Sequence, residues 1–282
     1  MTILTNKYLQ NYIISNKIDT TKPFNLNLSS NQITSIEKDA FKDCNNLVEL
    51  GLGCNQLTSI EKDAFKGLHN LKWLNLSSNQ ITSIEKDAFK DCNNLVQLSL
   101  NDNNLISIEK DAFKDCNNLV QLGLNDNNLI SIEKDAFKDC NNLVELGLGC
   151  NQLTSIEKDA FKGLHNLKWL NLSCNKLTSI EKDAFKDCNN FEYLNLSSNQ
   201  IPFIENKYYV TREEILRLIK DLNILELVKN LKSLDKEVDN VDCLIDGNTT
   251  LNDIKDKIGD IKDKISKYKQ EIIEQIINFL LR

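Results

Sequence analysis

Hydrophobic positions recur along most of this chain with a period of 24 residues. One unit reads Leu47-x-x-Leu50-x-Leu52-x-x-Asn55-x-Leu57-x-x-Ile60, followed by Ala64-Phe65-x-x-Leu68. Leu50 and Leu52 alternate with Glu49, Gly51 and Gly53, the period of two that a half-buried strand requires. Ala64, Phe65 and Leu68 then supply apolar groups from a returning segment, and Glu61, Lys62 and Asp63 read as its solvated face. Ser-Ile-Glu-Lys-Asp-Ala-Phe begins at Ser35, Ser59, Ser83, Ser107, Ser131, Ser155 and Ser179, and the repeat asparagine recurs once more, from Asn31 to Asn199, giving eight repeats with the last one truncated. A unit this small cannot bury its apolar face alone, so neighbouring units must stack. One strand per unit predicts a parallel sheet that advances ~4.8 Å per repeat.

One polar column runs through this apolar pattern: Asn31, Asn55, Asn79, Asn103, Asn127, Asn151, Asn175 and Asn199. Chain leaving a sheet exposes backbone groups that need partners, and an asparagine amide offers two donors and an acceptor. The column is therefore expected to be a structural ladder, with Asn199 mattering less because the last repeat has one neighbour fewer.

The Leu-x-x-Leu-x-Leu-x-x-Asn-x-Leu pattern with its Ala-Phe-x-x-Leu second half resembles the leucine-rich-repeat family in its 24-residue form. The resemblance covers residues 23–205. It implies an α/β solenoid, a right-handed horseshoe with a parallel concave sheet, that binds other proteins and performs no catalysis. Secreted members close both ends with cysteine-rich caps, and neither is present here. Residues 1–22 are expected to cover the first repeat instead, through an amphipathic segment from Tyr8 and Leu9 to Ile18 that includes Tyr12, Ile13 and Ile14.

The period changes after Glu205. Thr211-Arg212-Glu213-Glu214 reads as a capping box, followed by a helical apolar stripe through Ile215, Leu218, Leu222 and Leu225. After a break at Asp246-Gly247-Asn248, Leu251, Ile254, Ile258, Ile261, Ile265, Tyr268 and Ile272 alternate spacings of three and four, a heptad seam. Residues 206–282 are expected to form a helical hairpin or coiled-coil tail that caps the array or self-associates.

Charge and cysteine usage narrow the function. The net charge is −7 and basic residues do not cluster, which argues against nucleic acid. No apolar run approaches the ~20 residues that span a bilayer, and Met1 to Lys22 shows no apolar core of secretory length. Cys44, Cys92, Cys116, Cys140 and Cys188 occupy one repeat slot, shared with Leu68 and Leu164, and Cys54, Cys150 and Cys174 occupy another. They are repeat positions and not a disulfide framework. Together these features predict an intracellular, cytoplasmic protein. The richness in asparagine, isoleucine and lysine resembles repeat proteins of AT-rich genomes, such as those of giant viruses and protists.

No residue set points to catalysis, a metal or a cofactor. His69 and His165 are copies of one position without partners in register. Cys243 in Asp242-Cys243-Leu244-Ile245-Asp246 resembles the cysteine of ubiquitin-ligase effectors that carry leucine-rich repeats, but too few residues follow the repeats for such a domain. The Asn-Leu-Ser triplets at Asn27, Asn75, Asn171 and Asn195 arise from the repeat itself. The remaining candidate is the concave face, with Glu49, Trp73, Gln97, Gln121, Glu145, Trp169 and Tyr193 in one outward column. Large aromatics there have no folding role and suit a protein interface. The alternative is a spacer whose tail oligomerises.

Residues 35–77 and 131–173 are identical, so Glu49-Trp73 and Glu145-Trp169 are copies of one arrangement.

Overall fold

The computed structural model describes residues 2–181 and 184–201. The expected capping box, heptad seam and helical hairpin, with Cys243 and Asn248, lie outside the described residues. One strand per repeat forms a single eight-stranded parallel sheet in sequential order, from Phe24–Asn27 and Leu47–Gly51 through to Tyr193–Asn195. Register follows the 24-residue period, as in Gln97↔Gln121 and Gln121↔Glu145. Residues 24–201 thus form a parallel-strand solenoid.

Packing explains the period. Leu50, Leu52, Leu57 and Ile60 are at most 2 % exposed, and so are their copies Leu122, Leu124 and Leu129. Phe41, Phe65, Phe89, Phe113, Phe137, Phe161 and Phe185 form a continuous stack behind the sheet, with ring centroids 5.3–6.3 Å apart. Cys44, Cys92, Cys116, Cys140 and Cys188 are buried beside it as small apolar fillers.

The returning halves correct one expectation. Among the described residues the repeats contribute no α-helix, and Asn6–Ser15 supplies the one helix seen. The return is built from tight turns, such as Ala64 N to Glu61 O at 3.1 Å, Lys66 N to Asp63 O at 3.1 Å and Leu68 N to Phe65 O at 3.2 Å. The cause is the aspartate. Asp39, Asp63, Asp87, Asp111, Asp135 and Asp159 all have φ between 60° and 65°. A left-handed residue cannot continue a right-handed helix, and aspartate is among the few side chains that tolerate the conformation.

The Glu-Lys-Asp triplets also do more than face solvent. The Oδ1 atoms of Asp111 and Asp159, shielded from water, meet the ammonium groups of Lys138 (2.5 Å) and Lys186. Glu85, Glu133 and Glu181 accept the backbone N–H of Lys62, Lys110 and Lys158 across one repeat, at 3.0–3.1 Å.

The asparagine column ties each repeat to the one before it. Asn127 shares its amide N–H groups among Leu100 O (3.0 Å), Leu124 O (3.2 Å) and Asn125 O (3.1 Å). Its Oδ1 accepts Leu105 N at 3.0 Å. Asn199 makes the same four contacts, to Leu172 O, Leu196 O, Ser197 O and Leu177 N, although it is only partly buried. The ladder reaches backwards, so the position with less to bind is the first. Asn31 has no preceding repeat and donates to Ser29 O within its own turn.

The N-terminal segment covers the first coil. Thr2–Leu4 pairs in parallel with Ile33–Ile36. Thr5 then caps the helix, its Oγ1 accepting Tyr8 N at 3.0 Å. Leu9 and Ile13 are buried, whereas Ile14, expected on the same apolar face, is 71 % exposed. Ile14 follows Ile13 directly, and adjacent helical residues point some 100° apart.

Chemical denaturation tests the direction of the ladder. Asn127→Ala is expected to lower stability by roughly 1–3 kcal/mol, because buried turn groups lose their partner. Asn199→Ala falls in the same range and Asn31→Ala costs least. Equal, negligible losses at all three sites would show that the column holds nothing together.

Candidate binding surface

The sheet presents three outward columns to solvent. The first runs Asn25, Glu49, Trp73, Gln97, Gln121, Glu145, Trp169, Tyr193, each aligned with the next by strand register. It contains all seven residues singled out in the sequence. Trp73 is 52 % exposed and Trp169 46 %. The two differ in support: the Tyr193 ring stacks on Trp169 with centroids 4.9 Å apart, whereas Trp73 adjoins Gln97.

The second and third columns make the floor of glycine, serine and asparagine that the sequence pattern predicts, but linked by an amide chain that sequence reasoning did not foresee. Asn101 Oδ1 accepts from Asn125 through both its backbone N (2.9 Å) and Nδ2 (3.2 Å). Asn125 Oδ1 in turn accepts Gly149 N (2.8 Å) and Asn171 Nδ2 (3.2 Å). These amides lie over the neighbouring strands, in the space beside the glycines. A Cβ on Gly123 would sit 2.7 Å from the Asn101 amide, and one on Gly147 would overlap Asn125. The signal in the sequence was the pairing of glycine in one repeat with asparagine in the adjacent one.

A shallow open depression of about 270 Å³ spans this floor, bounded by Gln97 and Gln121 at one side and by Glu145, Trp169 and Tyr193 at the other. None of the outward positions of the three columns is lysine or arginine. Lys72 and Lys168, both exposed, stand at the rim one residue before each tryptophan, and Lys168 Nζ is 2.7 Å from Glu192. Among the described residues no three histidine, cysteine or acidic side chains gather as a metal site. The histidines lie away from the sheet face, with His165 Nδ1 3.2 Å from Asp187 O.

Comparison with known sequences agrees with this geometry. Residues 7–144 match the model of the BspA type leucine rich repeat region, in six copies, and residues 141–201 match a leucine rich repeat model. The chain belongs to the leucine-rich-repeat family. No curated protein sequence matches this leucine-rich-repeat chain. Among solved structures, the crystal structure of a TLR13–ssRNA13 complex is similar at 28% identity and a TM-score of 0.61. That match covers 64% of this chain and 26% of the other, so the chain spans about a quarter of its length. No helix among the described residues is long and apolar enough to cross a membrane.

The exposed cysteines form a further feature of this repeat array. Cys54, Cys150 and Cys174 occupy the turn that follows the strand, with φ of 51–53°. Cys150 and Cys174 are one repeat apart. Burial, a hydrogen bond to the Cys174 thiol and the charge of Asp126 push the Cys150 thiol up to about 11. Burial pushes the Cys44 and Cys116 thiols up to about 11 and about 12, and raises those of Cys92, Cys140 and Cys188.

The thiolate is the reactive form, which sets a pH dependence. In native protein, iodoacetamide is expected to label Cys54, Cys150 and Cys174, while the five buried thiols react only on unfolding. Labelling at Cys150 should accelerate steadily as pH rises toward about 11. Peptide mapping that finds Cys92 or Cys140 labelled as fast as Cys54 would contradict the burial.

Proposed function

We propose that this leucine-rich-repeat chain is a non-enzymatic protein-binding scaffold whose sheet face holds the partner. The observation that carries the reading is the pair of half-exposed tryptophans on an otherwise small, polar sheet surface. Exposed indoles cost solvation and contribute nothing to the core, but they are favoured anchors at protein interfaces. The eight strands offer three outward positions each, comparable with the ~20–30 residues per side of a standard interface.

The solved relative holds RNA, but the charge of this face opposes an RNA partner here. Nucleic-acid affinity comes largely from phosphate neutralisation by lysine and arginine. The three columns carry none, and Glu49 and Glu145 add negative charge.

The test is affinity capture of partners from the source cells, followed by titration of the captured partner. Trp73→Ala or Trp169→Ala is expected to weaken binding roughly 30-fold, from about 2 kcal/mol per buried aromatic anchor. Lys62→Ala and Lys158→Ala, on the back of the coil, should leave binding unchanged. Loss of binding in the lysine variants with normal binding in both tryptophan variants would move the interface to the other side.

A further inference from the structure

We infer that the sheet face recognises an extended segment of a partner protein carrying two cationic side chains six residues apart. This inference rests on the reading that the sheet face binds a protein, and specifies what that protein presents.

Each tryptophan has a carboxylate as its immediate neighbour. Glu49 is the register partner of Trp73, and Glu145 of Trp169. Register partners on adjacent strands stand ~4.8 Å apart. Tyr193 stacks on the Trp169 indole from the following strand. The uncovered side of that indole therefore looks along the column toward Glu145. A guanidinium or ammonium group seated there meets a negative ring face and a negative carboxylate together, which suits a cation and repels an anion. Glu49 and Trp73 repeat the register pairing, with Gln97 in the place of Tyr193, and the rim lysine next to Trp169 does not compensate Glu145, because it pairs with Glu192.

The spacing sets the geometry of the ligand. The two Glu–Trp pairs are four repeats apart, or ~19 Å at ~4.8 Å per strand. An extended chain advances ~3.3 Å per residue, so ~6 residues span the gap. Six is even, and side chains alternate along a strand, so both cations point at the sheet. Between the two pairs stand Gln97 and Gln121, whose amides offer donors and acceptors to a main chain. The Asn101–Asn125–Asn171 chain and the glycines beneath keep that floor low enough for a backbone to approach.

The second pair is the stronger of the two. Tyr193 holds the Trp169 ring in place, and Lys168 is engaged by Glu192. At the first pair, Lys72 stands at the rim and reduces the local negative potential. Removing Glu145 should therefore cost more than removing Glu49.

The full chain contains two tryptophans, so its indole emission reports on both pairs without background. The probe is a capped peptide of serine and asparagine with two arginines six residues apart, titrated at low salt. Control peptides place the arginines five apart, carry one arginine, or carry glutamates instead; an RNA oligonucleotide is a further arm. The six-spaced peptide is expected to bind about tenfold more tightly than the five-spaced or single-arginine peptide and to weaken with added salt. Glu145→Gln should weaken it about tenfold and Glu49→Gln less, with both glutamates exposed enough for either variant to fold. Trp73→Phe and Trp169→Phe isolate the emission of each site and should both show quenching.

Equal binding of the glutamate peptide or the RNA, an unchanged affinity in Glu145→Gln, or no emission change with any arginine peptide would overturn the inference. If partner capture still depends on Trp73 and Trp169 in that event, the sheet face remains the interface and only its cation preference is wrong. If the peptide binds but capture is indifferent to both tryptophans, the protein-binding reading of this face fails.

Discussion

Each coil of this chain leaves backbone groups in its turn that its own residues do not fully satisfy, and the asparagine of the next coil completes them. Leu105 N depends on Asn127 Oδ1, and Leu100 O receives the Asn127 amide as well. The bond set is one repeat long and points in one direction, so every coil is a precondition for the one before it. The phenylalanine stack works on the same repeat distance from the opposite side of the core. A change in repeat length would break both at once, which accounts for a 24-residue period held with so little variation.

Against that uniform background, chemistry appears where the repeat is broken. Strand positions that carry glycine, serine, asparagine or glutamine make a neutral floor. The departures are Glu49 with Trp73, Glu145 with Trp169, and Tyr193. The identical segments 35–77 and 131–173 place the same Glu–Trp pair four repeats apart. Duplication of a structural unit thereby also duplicates a surface feature at a fixed distance, because the parallel sheet converts residue count into length at ~4.8 Å per repeat.

The strands, their register and the core were legible in the sequence, because burial on one face of a strand imposes alternation and stacking imposes the period. Leu50, Leu52, Phe65 and Cys92 could be assigned inside from spacing alone. The sign of a backbone dihedral was not legible in the same way. Glu61-Lys62-Asp63-Ala64-Phe65 has a composition compatible with a helix, yet Asp63 at φ 60° prevents one. The lateral lean of Asn101 and Asn125 also escaped, since it depends on the absence of a side chain one strand away. Trp73, Trp169 and Tyr193 stood out beforehand because exposed aromatics have no place in the folding pattern, whereas the stack of Tyr193 on Trp169 depends on ring orientation and was not legible.

Native-state hydrogen exchange tests the central dependence most directly. The amides of Leu57, Ile81, Leu105, Leu129 and Leu153 each donate to the asparagine Oδ1 of the following repeat at 3.0 Å. They are expected to fall in the slowest-exchanging class, opening only with the array, while amides of the exposed turns exchange far sooner. If these five exchange as fast as the turn amides, the repeats are not held by the asparagine column and the account is wrong.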